Sequence, residues 1–245
     1  MPLLTATDLR KRYGPRTVVD GVSFVVDEGE IVGLLGRNGA GKTTSFRMSI
    51  GMISPDEGSV RFHGHDVSGL PMYERAQRGM GYLAQEPSVF GRLTVEQNLL
   101  AILETRPLAK MARRQRAAEL MAQFDLSKNA KQKAATLSGG ERRKLEIARA
   151  LVTDPTLILL DEPFAGVDPV AVEELQDEIR RLRDDLGIAM LVTDHNVHHI
   201  LGVCDRVYVV SSGKIFAEGT PKEIINDPKV RETYLGSTFR GDEFG

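Results

Sequence analysis

Gly36-Arg37-Asn38-Gly39-Ala40-Gly41-Lys42-Thr43 is the stretch from which the rest of this chain can be read. It satisfies the pattern G-x-x-x-x-G-K-[ST] in full, and its flanks are those the pattern needs. An apolar strand over 30–35 enters it and a helix beginning near Lys42 leaves it. Glycines let the backbone wrap a polyphosphate with its N–H groups turned inward, and the helix N-terminus adds positive potential. In that arrangement Lys42 reaches the β- and γ-phosphates and the Thr43 hydroxyl becomes a ligand for Mg²⁺. The expected ligand is therefore ATP with its metal.

Working outward, Leu157-Ile158-Leu159-Leu160-Asp161-Glu162 is the acidic partner of that loop. Four apolar residues in a row suit a strand buried on both faces, as a parallel sheet requires. Asp161 at its end is placed to hold Mg²⁺ beside Thr43. Glu162 is a second carboxylate at the same strand end, and acidic pairs gather where a metal or substrate compensates them. We assign it as the general base that polarises the attacking water; a surface carboxylate capping the next turn is its other reading. A second glycine motif, Leu137-Ser138-Gly139-Gly140-Glu141, precedes a helical stretch over 142–152. Ser138 is a good N-cap and the glycines allow close approach at a helix N-terminus, so the chain holds a second anion-binding end.

These three motifs, in this order, resemble those of the ABC ATPases, and the resemblance covers essentially the whole chain. It implies an α/β fold of the P-loop NTPase type, with a mostly parallel core sheet, an N-terminal antiparallel β subdomain and an α-helical subdomain over about 94–153. It further implies that the binding segment continues to Thr44 and that Tyr13 stacks on adenine. Gln85 matches the glutamine that senses Mg²⁺ and the attacking water, Asp168 the dimer-contacting aspartate, and His195 the switch histidine at the γ-phosphate. Lys42, Glu162 and His195 form the catalytic set, and Thr43, Gln85 and Asp161 the metal set. Ser138, Gly139 and Gly140 complete the site of a second copy, so two chains sandwich two nucleotides as a homodimer.

The wider pattern agrees. Short β-branched runs alternate with helical ones, with strands expected over 3–7, 18–26, 30–35, 59–63, 81–83, 156–160, 189–193, 206–210 and 214–218. Helices are expected to begin near Lys42, Val95, Glu141, Pro169, Val197 and Pro221. After Asp168-Pro169, the residues Leu175, Ile179, Leu182 and Leu186 recur at helical spacing, and Gly187 ends the helix. From about Thr94 to Thr136 strand signals vanish and helix formers dominate, with a basic cluster of Lys110, Arg113, Arg114 and Arg116 read as a solvated face. No aromatic side chain interleaves with that cluster to stack bases. There is no repeat and no low-complexity tract, so 1–245 reads as a single domain with a short tail over 236–245.

Composition bounds the partners. A net charge of -2 gives no global basic field for nucleic acid, and the one cysteine, Cys204, reads as a small buried hydrophobe. Charge does not precede an apolar stretch at the N-terminus, and no apolar run approaches the ~18 residues that span a bilayer. The expected place is therefore cytoplasmic, on the inner face of the inner membrane, with membrane work done through integral membrane subunits.

Within the family, three stretches are similar to the lipopolysaccharide-export branch: 81–90, 161–169 and Thr193-Asp194-His195-Asn196-Val197, with Tyr234-Leu235-Gly236 and Phe239-Arg240 matching its tail. Ala84 stands where proline is usual, and the tail runs on through Gly245. Branched-chain amino-acid importers share much of this and remain the alternative reading; a non-transport ABC protein acting on nucleic acid or ribosomes is a third. The segment from Gln85 to Arg92 is expected to receive the membrane subunit, with Phe90 as apolar anchor or core residue and Arg92 as positive rim.

Overall fold

The computed structural model describes residues 1–86 and 88–236; the expected Phe239-Arg240 tail match lies outside them. The chain opens as a hairpin of β1 (Pro2–Tyr13) and β2 (Arg16–Asp27). β1 is much longer than the strand expected over 3–7. Its alternation breaks at a register shift between Ala6 and Leu9, where Asp8 takes φ 48°. A bulge of this kind moves the inward set by one residue, so Leu9 is buried while the polar residues after it read as loop in sequence. β3 (Ile31–Leu35), α1 (Lys42–Ile50), β4 (Glu57–Phe62), β5 (His65–Asp66), α2 (Met72–Gln77) and β6 (Met80–Leu83) follow.

Next come α3 (Val95–Leu103), α4 (Lys110–Gln123) and α5 (Gly139–Ala150). Thr94 and Gln97 close a capping box on α3, and the segment after α4 returns beside its start: Val95 N–H donates to Gln132 O at 3.0 Å and Ala134 N–H to Leu93 O at 2.9 Å. The chain then alternates through β7 (Leu157–Asp161), α6 (Pro169–Leu186), β8 (Ala189–Thr193), α7 (Val197–Leu201) and β9 (Arg206–Ser211), and closes with β10 (Lys214–Gly219), α8 (Pro221–Asn226), α9 (Pro228–Val230) and a π turn over Arg231–Leu235.

The strands form two sheets. One is antiparallel, in the order β2-β1-β4-β5; the other runs β10-β9-β3-β8-β7-β6 and is parallel except for β10. Every residue of β3, β7 and β8 is buried. Alternation divides them between two cores: Leu157, Leu159 and Leu191 join Phe46 and Met48 of α1 and the antiparallel sheet, whereas Ile158, Leu160 and Val192 join α5 and α6. The P-loop helix is thus packed between two sheets. Each leucine so buried contributes ~1.5–3 kcal/mol.

α6 departs from its expected stripe at one end. Asp168 accepts from Ala171 N–H at 3.1 Å, and Val172, Leu175, Ile179 and Leu182 are buried. Leu186 is 51% exposed, however. Gly187 at φ 66° turns the chain so that Ile188 N–H reaches Leu182 O at 3.3 Å, and buried Ile188 makes the last apolar contact in its place. Cys204 is buried beneath β3, where it and Ile200 lie against Gly33. Among the described residues no helix is long and apolar enough to cross a membrane.

Candidate functional site

The parallel sheet sets out the site in a row. β3, β8, β7 and β6 are neighbours, and the residues immediately beyond their C-terminal ends are Gly36, Asp194-His195, Glu162 and Ala84-Gln85. Open α/β sheets bind ligands along this edge.

The P-loop follows β3. Gly36, Gly39 and Gly41 take φ of 149°, 78° and 107°. A Cβ on Gly36 would stand 2.2 Å from Val210 O, and one on Gly41 would stand 2.8 Å from Val18 O, so both positions require glycine. Gly213 N–H donates to Ala40 O at 2.9 Å, while Gly213 O accepts from Asp20 N–H at 2.8 Å. The loop is therefore clamped between the β9–β10 turn and β2. Lys42 is buried, and its ammonium donates to Gly36 O and, at 3.2 Å, to Arg37 O. Burial pushes its pKa down, against the charges of Glu162 and Asp194. A cleft of about 280 Å³ opens beside Arg37–Ala40, walled by Ser211, Phe216 and Tyr234; Lys42, Asp161, Glu162 and His195 do not line it.

At the end of β7, Asp161 is 3% exposed. Burial holds its carboxyl above the usual carboxylate range, Arg47 opposes the shift, and Glu162 adds to it. Glu162 itself has φ 45°. A left-handed backbone costs a non-glycine residue roughly 1–2 kcal/mol. It persists because Glu162 N–H is tied to Thr193 O at 2.8 Å, across to β8. The carboxylate receives Gln85 Nε2 at 2.9 Å, and His195 Nδ1 lies 3.6 Å from the same oxygen. Gln85, Glu162 and His195, far apart in sequence, thus converge on one carboxylate oxygen.

Asp194 is a participant that sequence reading missed. It is 1% exposed, accepts from Asn196 N–H at 2.8 Å and Phe164 N–H at 3.3 Å, and lies 3.4 Å from His195 Nδ1. Its sequence signal is an Asx turn two residues before Asn196, which by itself points to no chemistry. A link from the Gln85 segment to α5 was also missed. Buried Glu146 accepts from Ser88 N–H and from Arg143 Nη1, each at 2.9 Å, while Arg149 donates to Ser88 O and lies over the Phe90 ring at 4.6 Å. Phe90 remains 46% exposed, so it is not a core residue.

Ser138 caps α5 with a full capping box to Glu141. Its N–H and hydroxyl hydrogen bonds hold the Glu141 carboxyl below the usual range. Asn129 Nδ2 adds a bond at 3.0 Å. Gly139 and Gly140 face open space, with nothing within 4 Å of either Cβ position. The hydrogen bonds of this motif stay within the helical region, and the structure does not bring it into the row. Tyr13 ends β1, half exposed, opposite Arg16.

The family profile described as "ABC transporter" matches residues 19–165, more than half of the chain and spanning all three motifs. The chain belongs to the ABC transporter ATP-binding family. As a member it binds ATP and couples ATP hydrolysis to transport. A second profile, described as "branched-chain amino acid ATP-binding cassette transporter", matches residues 214–240 of the cassette. The lipopolysaccharide export system ATP-binding protein LptB of Haemophilus influenzae is 52% identical, over 98% of this chain and 100% of that protein. The LptB of Escherichia coli K12 is 51% identical over the same shares. Among solved structures, the ADP conformation of an ATP-binding cassette of an ABC transporter is 32% identical with a TM-score of 0.86, covering 96% of this chain and 99% of that one. The cbiO1 cassette from Clostridium perfringens is 25% identical with a TM-score of 0.85, over 94% and 93%.

Proposed function

We propose that this cassette is the ATP-hydrolysing subunit of a transporter that exports lipopolysaccharide from the inner membrane toward the outer membrane. The observation that carries the cargo is the identity of about half, end to end, to proteins named for that export system. The geometry carries the chemistry. Lys42 and the P-loop N–H groups hold the β- and γ-phosphates, and Tyr13 stacks on the adenine. Thr43 and Asp161, with Gln85, present oxygen ligands of the hard kind that Mg²⁺ prefers, two or three protein groups with the phosphates completing the set. Thr193 Oγ1, buried beside Asp161 on the facing strand without a hydrogen-bond partner among the described residues, fits a hydrated ion there. Bound Mg²⁺ would neutralise charge on the β- and γ-oxygens. Glu162 takes the proton of the attacking water, Gln85 and His195 orient that carboxylate, and His195 meets the γ-phosphate.

The exposed N-terminus of α5 supports a second reading of scale: Ser138, Gly139 and Gly140 serve the γ-phosphate of a partner copy, making a two-fold homodimer. Exposed Phe90, stacked under Arg149 and linked through Ser88 to Glu146, supports the segment from Gln85 to Arg92 as the seat of an integral membrane subunit. The cassette then works at the cytoplasmic face of the inner membrane. A branched-chain amino-acid importer is the alternative, favoured by the match over 214–240.

Two experiments test this. Glu162→Gln is expected to lower turnover on the order of 10²–10⁴-fold while ATP binding is retained; equal rates would remove Glu162 as the base. Affinity purification from native membranes is expected to recover lipopolysaccharide-export membrane subunits. Recovery of amino-acid permeases in their place would overturn the cargo and leave the ATPase standing.

A further inference from the structure

Arg16 opens β2 directly across from Tyr13, with only Gly14 and Pro15 in the turn between them. Paired residues of antiparallel strands hold their Cα atoms about 4.5–5.5 Å apart. On its other side Arg16 approaches the phosphate loop: its Nη2 would stand 3.8 Å from a Cβ placed on Gly39. The strand cannot drift away from the loop, because Val18 O, two residues on, packs against Gly41.

Charge sets Arg16 apart from its neighbours. Arg10 pairs with Asp20, Lys11 with Asp56, and Arg12 with Glu57. Arg16 is exposed and, among the described residues, has no hydrogen bond or ion pair from its side chain. An unpaired guanidinium beside a ring of inward N–H groups is a bidentate donor for phosphate oxygens. Its place along the nucleotide follows from what flanks it. Tyr13 marks the base end of the site, whereas Lys42, Asp161, Glu162 and His195 mark the γ-phosphate end. A residue paired with the first and facing Gly39 belongs near the base end.

We propose that Arg16 is a further nucleotide-binding residue, donating to the α- and β-phosphates and not to the γ-phosphate. This rests on reading residues 36–43 as the ATP site. Its consequence is that Arg16 does not distinguish ATP from ADP: it retains both.

The test is the affinity of the full chain for Mg²⁺-ADP and Mg²⁺-ATP by calorimetry, in wild type, Arg16→Gln, Arg16→Lys and Lys42→Ala. Arg16→Gln is expected to weaken both nucleotides by the same factor, about 5- to 10-fold. Arg16→Lys should lose less, and its deficit should grow with salt. Thermal unfolding without nucleotide should match wild type, since Arg16 makes no folded-state contact of consequence. Unchanged affinity in Arg16→Gln beside a clear loss in Lys42→Ala overturns the proposal alone. Loss confined to ATP overturns it too, by moving Arg16 to the γ-phosphate, as does a drop in nucleotide-free unfolding temperature. If Lys42→Ala also binds normally, the ATP-site reading falls with it.

Discussion

A half-buried carboxylate shows how a single residue here costs stability as pH changes. Glu178 on α6 has an oxygen buried without a hydrogen-bond partner among the described residues. Burial raises its pKa, Arg181 and Lys144 oppose the shift, and Asp125 and Asp185 add to it. A carboxyl raised in the folded state binds its proton more tightly there than in the unfolded chain. Stability is therefore lost as pH rises from the unfolded value toward the folded one. Glu178→Gln is expected to raise the unfolding temperature at neutral pH, with the difference closing as the buffer is taken below the unfolded carboxylate range; thermal scans across that range measure it. At this scale the motif residues take proposed roles from sequence alone, because chemistry restricts what can stand there. Lys42, Asp161 and Glu162 each had a role before any fold was known. The convergence of Gln85 and His195 on Glu162 was not legible, since neither a lone glutamine nor a lone histidine carries weight without its neighbours.

At the scale of elements, the P-loop helix is held at both ends by residues from elsewhere. Its N-terminus is clamped by Gly213 and Val18. Its C-terminus is held by Arg75 of α2, which is fully buried and donates to Met48 O and Ser49 O at 2.8 Å, Leu70 O at 2.9 Å and Ser68 O at 3.0 Å. Burial lowers its pKa to about 10, with Asp66 opposing. A cation at a helix C-terminus complements the helix dipole. Arg75→Met takes the donor from all four carbonyls, of which Met48 O keeps Gly51 N–H at 3.3 Å, and should cost about 2–4 kcal/mol in chemical denaturation. Neither α2 nor Arg75 was legible: a six-residue helix offers too little periodicity, and a single arginine in sequence gives no sign of burial. Val95 and Pro169 were found as first residues because Thr94 and Asp168 are local signals, whereas α5 begins at Gly139, two residues before the expected Glu141, although Ser138 caps it with a full box. β1 was underestimated for the opposite reason, a bulge whose partner lies on another strand.

The whole molecule is half of a proposed pair, and mixing tests it. Lys42→Ala keeps the second glycine motif, Ser138-Gly139-Gly140, but loses the P-loop lysine. Gly139→Asp keeps the P-loop and folds, since nothing stands within 4 Å of that Cβ. Each alone is expected to be inactive. Random pairing of the two makes half of the dimers mixed, each with one intact composite site, so the mixture should recover about a quarter of wild-type ATPase activity. Mixtures as inactive as their components would show that each chain completes its own site.

What the sequence determined by itself was the chemistry and the class of fold. A phosphate loop needs glycine, lysine and a hydroxyl in fixed order, a buried parallel strand needs a run of apolar residues, and both constraints act within about eight neighbouring positions. What only the tertiary structure decided was contact between positions remote in sequence. Glu162 is bent into line by Thr193, Gly41 is glycine because Val18 O lies against it, and Arg16 stands unpaired beside Gly39. Such constraints are steric and electrostatic relations across strands, and nothing in the local order of residues encodes which atoms the sheets bring together.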